Sequence, residues 1–165
     1  FHVVLSECPM LSEDLDIIFR RMTVIAYEDI GLANPNIALK VEACIKACER
    51  VGLPEARIPL AKTVIEMALS PKSNSAYLAL NEAINDINKG NTGNVPNHIK
   101  TNSKDYKYAH DYPEHYVEQQ YLPDEIKDAK FYEPTEIGFE KGIKERLERL
   151  RGRGKKTCGD AEFRL

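Results

Sequence analysis

Between Asp105 and Glu136 the sequence gathers most of the side chains on which chemistry could be built. His110, Asp111, Glu114 and His115 fall within six residues and offer nitrogen and carboxylate donors for a metal ion or an acid–base pair. Their spacing matches no zinc arrangement, and loop histidines bonded to their own backbone are the plainer reading. Five tyrosines, Tyr106, Tyr108, Tyr112, Tyr116 and Tyr121, run through the same stretch and invite base stacking. Charge argues against that. Residues 105–136 carry nine acids and three bases, so a phosphate backbone would be repelled. The tyrosines are read instead as anchors of an ordered loop, with rings laid over a helical core and hydroxyls kept wet.

Cys44 and Cys48 stand four residues apart, on one face if the segment is helical. As a redox or metal pair they compete with a simpler role as small core hydrophobes. The four cysteines, which include Cys8 and Cys158, form no CxxC motif, and a reduced cytosolic setting is expected. Residues 141–156 hold eight bases and two acids, in a chain whose net charge is −3. Arg146, Arg149, Arg151 and Arg153 are therefore candidate contacts to a nucleic acid, with solubility as the alternative. No GxxxxGK[ST], GxGxxG, GxSxG or HExxH sequence occurs, so no catalytic, cofactor or metal residues are assigned.

The elements that carry these residues are helical. Leu15, Ile18, Met22 and Ile25 recur at helical steps after a cap at Ser12, and Gly31 is a plausible stop. Asn34-Pro35 opens a second helix whose stripe is Ile37, Val41, Cys44, Cys48 and Val51, closed by Gly52. Pro54 and Pro59 place a turn at 54–57 and a third helix at 58–69, buried through Ala61, Val64, Ile65 and Ala68. A fourth helix follows a cap at Ser73 or Asn74 and is buried through Tyr77, Leu80, Ile84 and Ile87. After Asn91 the periodicity stops for over forty residues. It returns at Pro134-Thr135 in a last helix with Phe139, Ile143, Leu147 and Leu150 inside and Glu140–Lys144 and Glu145–Arg149 pairs outside. The fold class is all-α, a helical bundle with one long ordered irregular loop, over residues 1–151. Residues 152–165 read as a basic flexible tail.

A length of 165 residues suits one domain with a sizeable core. No apolar run approaches the roughly 20 residues of a membrane span, and no signal-peptide pattern opens the chain. It begins with Phe1, and a piece of a longer protein is expected.

Four segments carry more than periodicity: AYEDIGLANP, VGLPEARIPLAKTVIEMALSPKSNSAYLAL, YKYAHDYPEHYVEQQYLPDEI and FYEPTEIGFEKGIKERL. Together they resemble, over roughly residues 15–151, the C-terminal part of the replication-associated recombination protein A (RarA/MgsA) family. Its eukaryotic relatives include the Werner helicase-interacting ATPase. The resemblance implies an AAA+ ATPase related to clamp-loader subunits, acting on DNA ends and stalled forks in the bacterial cytoplasm at the nucleoid. ATP and magnesium would be held by an N-terminal part not contained in these residues, and the whole protein would be a DNA-dependent ATPase. The segment at hand would be a collar-like domain joining protomers into a homotetramer, inactive alone, with fork DNA and replication proteins as partners of the whole protein. A nucleic-acid-binding helical domain using the basic C-terminal helix is the alternative. The family carries a longer polar segment between VPNHIK and YKYAHDYP, and residues 1–12 and 152–165 match it poorly.

Overall fold

Apolar residues at three- and four-residue steps set the architecture of the first half of the chain. The computed structural model describes residues 15–154, which form helices and turns with no strand among them. Five α-helices follow one another: α1 (Leu15–Ile25), α2 (Asn36–Val51), α3 (Arg57–Leu69), α4 (Ser75–Asn88) and α5 (Glu140–Gly154). The all-α class read from the sequence holds. The expectations placed on Cys8, Ser12, Cys158 and residues 155–165 lie outside the described residues. Residues 152–154, read as the start of a tail, continue α5. Two compact units emerge, one from residues 15–78 with 132–147, the other from 79–131 with 148–154.

The core of the first unit is built by α1, α2 and α3. Phe19 and Met22 of α1 meet Ile37, Val41, Cys44 and Cys48 of α2 and Leu60, Val64 and Met67 of α3. Full burial of Met22, Ile30 and Ile37 stabilises the unit by about 1.5–3 kcal/mol each. Thr23 bonds its hydroxyl to the Phe19 carbonyl at 2.9 Å, and α1 then widens into a π turn at Ala26–Ile30. The Gly31 N–H returns to the Ala26 carbonyl five residues back. Ala26 and Ile30 both face the core.

Asn34 and Pro35 start α2 as expected in the backbone: Pro35 takes a helical conformation and the Ile37 N–H bonds the Asn34 carbonyl at 3.1 Å. The Asn34 side chain has another use. It donates to Ser70 Oγ at 3.0 Å and ties the start of α2 to the end of α3. Gly52 (φ 68°) ends α2, and Val51 beside it stays exposed.

Two helix faces depart from the sequence reading. On α3 the buried residues are Leu60, Thr63, Val64 and Met67, while Ala61, Ile65 and Ala68 are exposed. That helix is apolar nearly all round, so its spacing does not select a face; the bulk of Leu60 and Met67 does. On α4 the stripe Tyr77, Leu80, Ile84 and Ile87 is exposed (44–59%), and the more covered positions are Ser75, Ala79, Asn81, Ala83 and Asp86. Large apolar residues stand outside and small or polar ones inside. The start of α5 also differs. It begins at Glu140, because Pro134–Phe139 forms a strap of turns that leaves Phe139 exposed.

Candidate functional site

The strap that delays α5 builds the most polar buried site in the first unit. Gly138 sits at φ 57°, where a Cβ would lie 2.3 Å from the Ala33 carbonyl oxygen and 2.8 Å from Pro71 Cγ. Only glycine suits both the backbone and that approach. The Phe139 N–H then bonds the same Ala33 carbonyl at 2.9 Å. Glu140 is thereby fixed as the first residue of α5 with its side chain turned inward, 0% exposed.

Hydroxyl groups surround its carboxylate. Tyr132 donates to Oε1 at 2.8 Å, Ser75 donates to the same oxygen, and Thr135 donates to Oε2 at 2.7 Å. Ser73 Oγ lies 3.4 Å from Thr135 Oγ1 and accepts the Ser75 N–H at 3.4 Å. A buried carboxylate is costly unless hydrogen bonded, and charge-assisted bonds from hydroxyls are among the strong ones. Burial pushes the Glu140 pKa upward, but the Ser73, Ser75, Thr135 and Tyr132 hydroxyls outweigh it and hold it below the ordinary 4.5. For Tyr132, burial and then the bond to the carboxylate and its charge push the phenol from 10.0 up to about 12. Sealed from solvent, the carboxylate cannot reach a substrate. It is a polar knot linking the starts of α4 and α5.

This corrects the expected Glu140–Lys144 pair. Lys144 Nζ lies 2.6 Å from Glu136 Oε1 instead and holds that carboxyl below its usual range. Glu136 is well exposed, so water screens the pair and it contributes little to stability. Sequence periodicity missed the knot because its partners come from separate segments. The cue was present in the hydroxyls of Ser73, Ser75 and Thr135, each beside a helix end or a proline.

The loop residues singled out earlier belong to the second unit. Short 3₁₀ turns at Ala109–Asp111 and Pro113–His115 carry His110, Asp111, Glu114 and His115. The His110 ring lies between those of Tyr108 and His115, at centroid distances of 5.0 and 4.9 Å, and His115 takes φ 53°. Among the described residues no group of three or more His, Cys, Asp or Glu is arranged to hold a metal. Tyr106, Tyr108, Tyr112, Tyr116 and Tyr121 are all exposed, at 36–56%, which departs from the expectation of rings laid over a core. The segment is held by its own amides. Lys107 N–H donates to Gln119 Oε1 at 3.1 Å, and His98 Nε2 donates to the Gln120 carbonyl at 2.7 Å. Gln120 Nε2 in turn donates to Asp124 Oδ1 at 2.8 Å. Rings were expected to do what backbone and amide bonds do.

Cys44 and Cys48 are buried free thiols with their sulfurs 4.0 Å apart. Burial and the neighbouring Cys44 push Cys48 up to about 11, far from thiolate reactivity. On α5, Arg146, Arg149 and Arg151 are exposed beside Glu145 and Glu148. No helix among the described residues is long and apolar enough to cross a membrane.

Comparison with known proteins meets this geometry at the same segments. The family model described as MgsA AAA+ ATPase C terminal matches residues 8–151. The chain is 51% identical over 148 residues to replication-associated recombination protein A of Bacillus subtilis, covering 83% of this chain and 35% of that protein. It is 41% identical to an uncharacterized AAA domain-containing protein of Mycobacterium tuberculosis, over 89% of this chain and 35% of the relative. ATPase WRNIP1 of Dictyostelium discoideum is 32% identical over 70% of this chain and 14% of its own length. The chain thus spans about a third or less of the length of these relatives. With the strap, the knot and the tyrosine loop all inside the matched residues, the chain belongs to the MgsA AAA+ ATPase C-terminal family.

Proposed function

We propose that this chain is the self-association domain of a longer ATPase of the replication-associated recombination type, joining copies into a homotetramer. In this reading it does no chemistry itself. ATP and magnesium are handled by the rest of the whole protein, which works on fork DNA with replication proteins in the bacterial cytoplasm, at the nucleoid. The observation that carries the reading is apolar surface left outside a closed core. Ile58 and Leu69 on α3, and Leu80 and Ile87 on α4, all project outward while α1–α3 already bury Met22, Ile30, Ile37 and Val41. In this reading these exposed apolar side chains are the interface residues. Light scattering at tens of micromolar should give four chain masses rather than the 18.7 kDa of one. A strictly monomeric mass refutes the proposal.

A second reading is favoured by the exposed Arg146, Arg149 and Arg151 of α5: direct contact with a DNA backbone through α5. Such binding would be weak, indifferent to sequence and steeply salt-dependent. Charge reversal at Arg149, Arg151 and Arg153 should abolish retention of a fluorescent duplex in an anisotropy titration. Binding that survives the triple variant removes α5 from the contact.

A further inference from the structure

The sulfurs of Cys44 and Cys48 lie 4.0 Å apart in the α1–α3 core, with 4% and 1% of the two residues exposed. The residues stand one turn apart on α2, a spacing at which Cβ atoms are about 5–6 Å from each other. A disulfide draws its Cβ atoms to about 3.5–4.5 Å, so α2 would have to distort to close one. An atom set between the two sulfurs removes that difficulty. Bonds from thiolate to a filled-shell metal ion are about 2.3 Å long, which puts two sulfurs about 4.6 Å apart when the three atoms are in line. From the observed 4.0 Å, a small turn of the two side chains is enough.

The surroundings select the ion. Among the described residues no group of three or more His, Cys, Asp or Glu is arranged to hold a metal, so an ion at the pair has two side-chain ligands. Zinc takes four in closed sites, and thiolate ligands favour soft ions. Charge narrows the choice further. The pair belongs to the same apolar cluster as Val41, Leu60 and Val64, where an uncompensated charge is costly. The one polar neighbour is the Ala56 carbonyl, which accepts from Cys48 Sγ at 3.5 Å. Two thiolates around a monovalent ion leave a negative charge in that core. Around a divalent ion they leave none.

We propose that Cys44 and Cys48 form a two-coordinate site for one soft divalent cation, mercury(II), held between the sulfurs as a neutral bis-thiolate inside the core. Two S–H bonds break and two sulfur–mercury bonds form. Both protons leave to water, and no oxidation state changes. Local opening of α2 from α3 admits the ion, and closing returns the pair to the core. The bridge spans a single turn of one helix, so α2 keeps its hydrogen bonds.

The test uses the full chain with C8S/C158S, which leaves the pair as its only thiols. Titration with mercury(II) chloride should saturate at one ion per chain, read by the ultraviolet sulfur-to-mercury charge-transfer band. Circular dichroism should show the helicity retained, and X-ray absorption should count two sulfur neighbours at about 2.3 Å. Adding Cys44→Ala or Cys48→Ala should weaken retention against glutathione about a hundredfold or more, because the second thiol is no longer held at high effective concentration. One ion with two sulfurs, lost more easily from both alanine variants, supports the site. Two ions per chain overturn it, since each thiol then acts alone. Uptake only after denaturant is added also overturns it, because the folded core then excludes the ion. So does displacement of the mercury by equimolar zinc chloride, which would require ligands beyond the pair. The titration and the sulfur count decide the matter even where an alanine variant fails to fold.

Discussion

Replacing Glu140 with alanine is expected to lower the thermal midpoint by about 10 °C. The change removes the acceptor shared by Ser75, Tyr132 and Thr135 and leaves their hydroxyls inside the protein without it. Each lost bond to a charged group costs about 1.5–3 kcal/mol, partly offset because the carboxylate no longer has to be desolvated. A net loss of about 3–5 kcal/mol follows, and a chain of this size shifts by about 2–4 °C per kcal/mol. Glu140→Gln should cost less, about 1–2 kcal/mol, because it keeps the volume and the hydroxyls can turn to accept from its amide. The pair of variants also separates charge from shape by pH. The folded-state pKa of Glu140 is lowered, so its contribution is present above the ordinary 4.5 and fades as pH falls through the folded value. The gap between wild type and Glu140→Gln should therefore narrow in acid. Tyr132 has the opposite sign: its raised pKa gives stability that is complete below 10.0 and lost as pH climbs toward about 12. Melting curves followed by circular dichroism at several pH values read all of this. An alanine variant melting within 2 °C or so of wild type would show that the knot is not a stabilising element.

The second large effect is expected at Gly138. A valine there must take φ 57° and place its Cβ against the Ala33 carbonyl oxygen, a backbone atom that cannot swing aside. The left-handed conformation alone costs about 1–2 kcal/mol, more for a β-branched residue, and moving the strap adds the bond from the Phe139 N–H. A total above about 3 kcal/mol is expected, with a fall in midpoint near 10 °C. Gly142 provides the contrast. It lies inside α5 with open space around its Cβ position, so Gly142→Ala should stabilise by about 0.5–1 kcal/mol. If Gly138→Val melts like wild type, the strap is not the fixed element described here.

These two residues also mark the limit of what the sequence discloses. The α2 stripe is legible because Ile37, Val41, Cys44 and Cys48 alternate with charged neighbours, leaving one possible inner face. On α3 that contrast is missing, and the true face with Thr63 inside depends on how Leu60 and Met67 fill the core. On α4 the apolar period is real, yet its face is exposed within the chain; periodicity finds a stripe and cannot say which molecule covers it. Pro134-Thr135 has the composition of a helix start, and only the folded strap reveals that the Thr135 hydroxyl serves Glu140 five residues later. The irregular backbone of the tyrosine loop was legible from Pro113 and Pro123, whereas the burial expected of its rings was not found. Its anchors are amides such as Gln119 and Gln120, which carry no pattern of their own.

The polar knot has a consequence for the time at which the domain can be completed. Ser75 and Glu140 are 65 residues apart. The contacts joining α1, α2 and α3 are closer in the chain, and short loops close at lower entropic cost. During synthesis at about 5–20 residues per second, Ser75 would wait roughly 3–13 s for its acceptor to be made. Until then the α1–α3 core can assemble while the start of α4 remains unfastened. The start of α5 thus acts as a clasp on the start of α4, and any stop in translation before Glu140 leaves the clasp open.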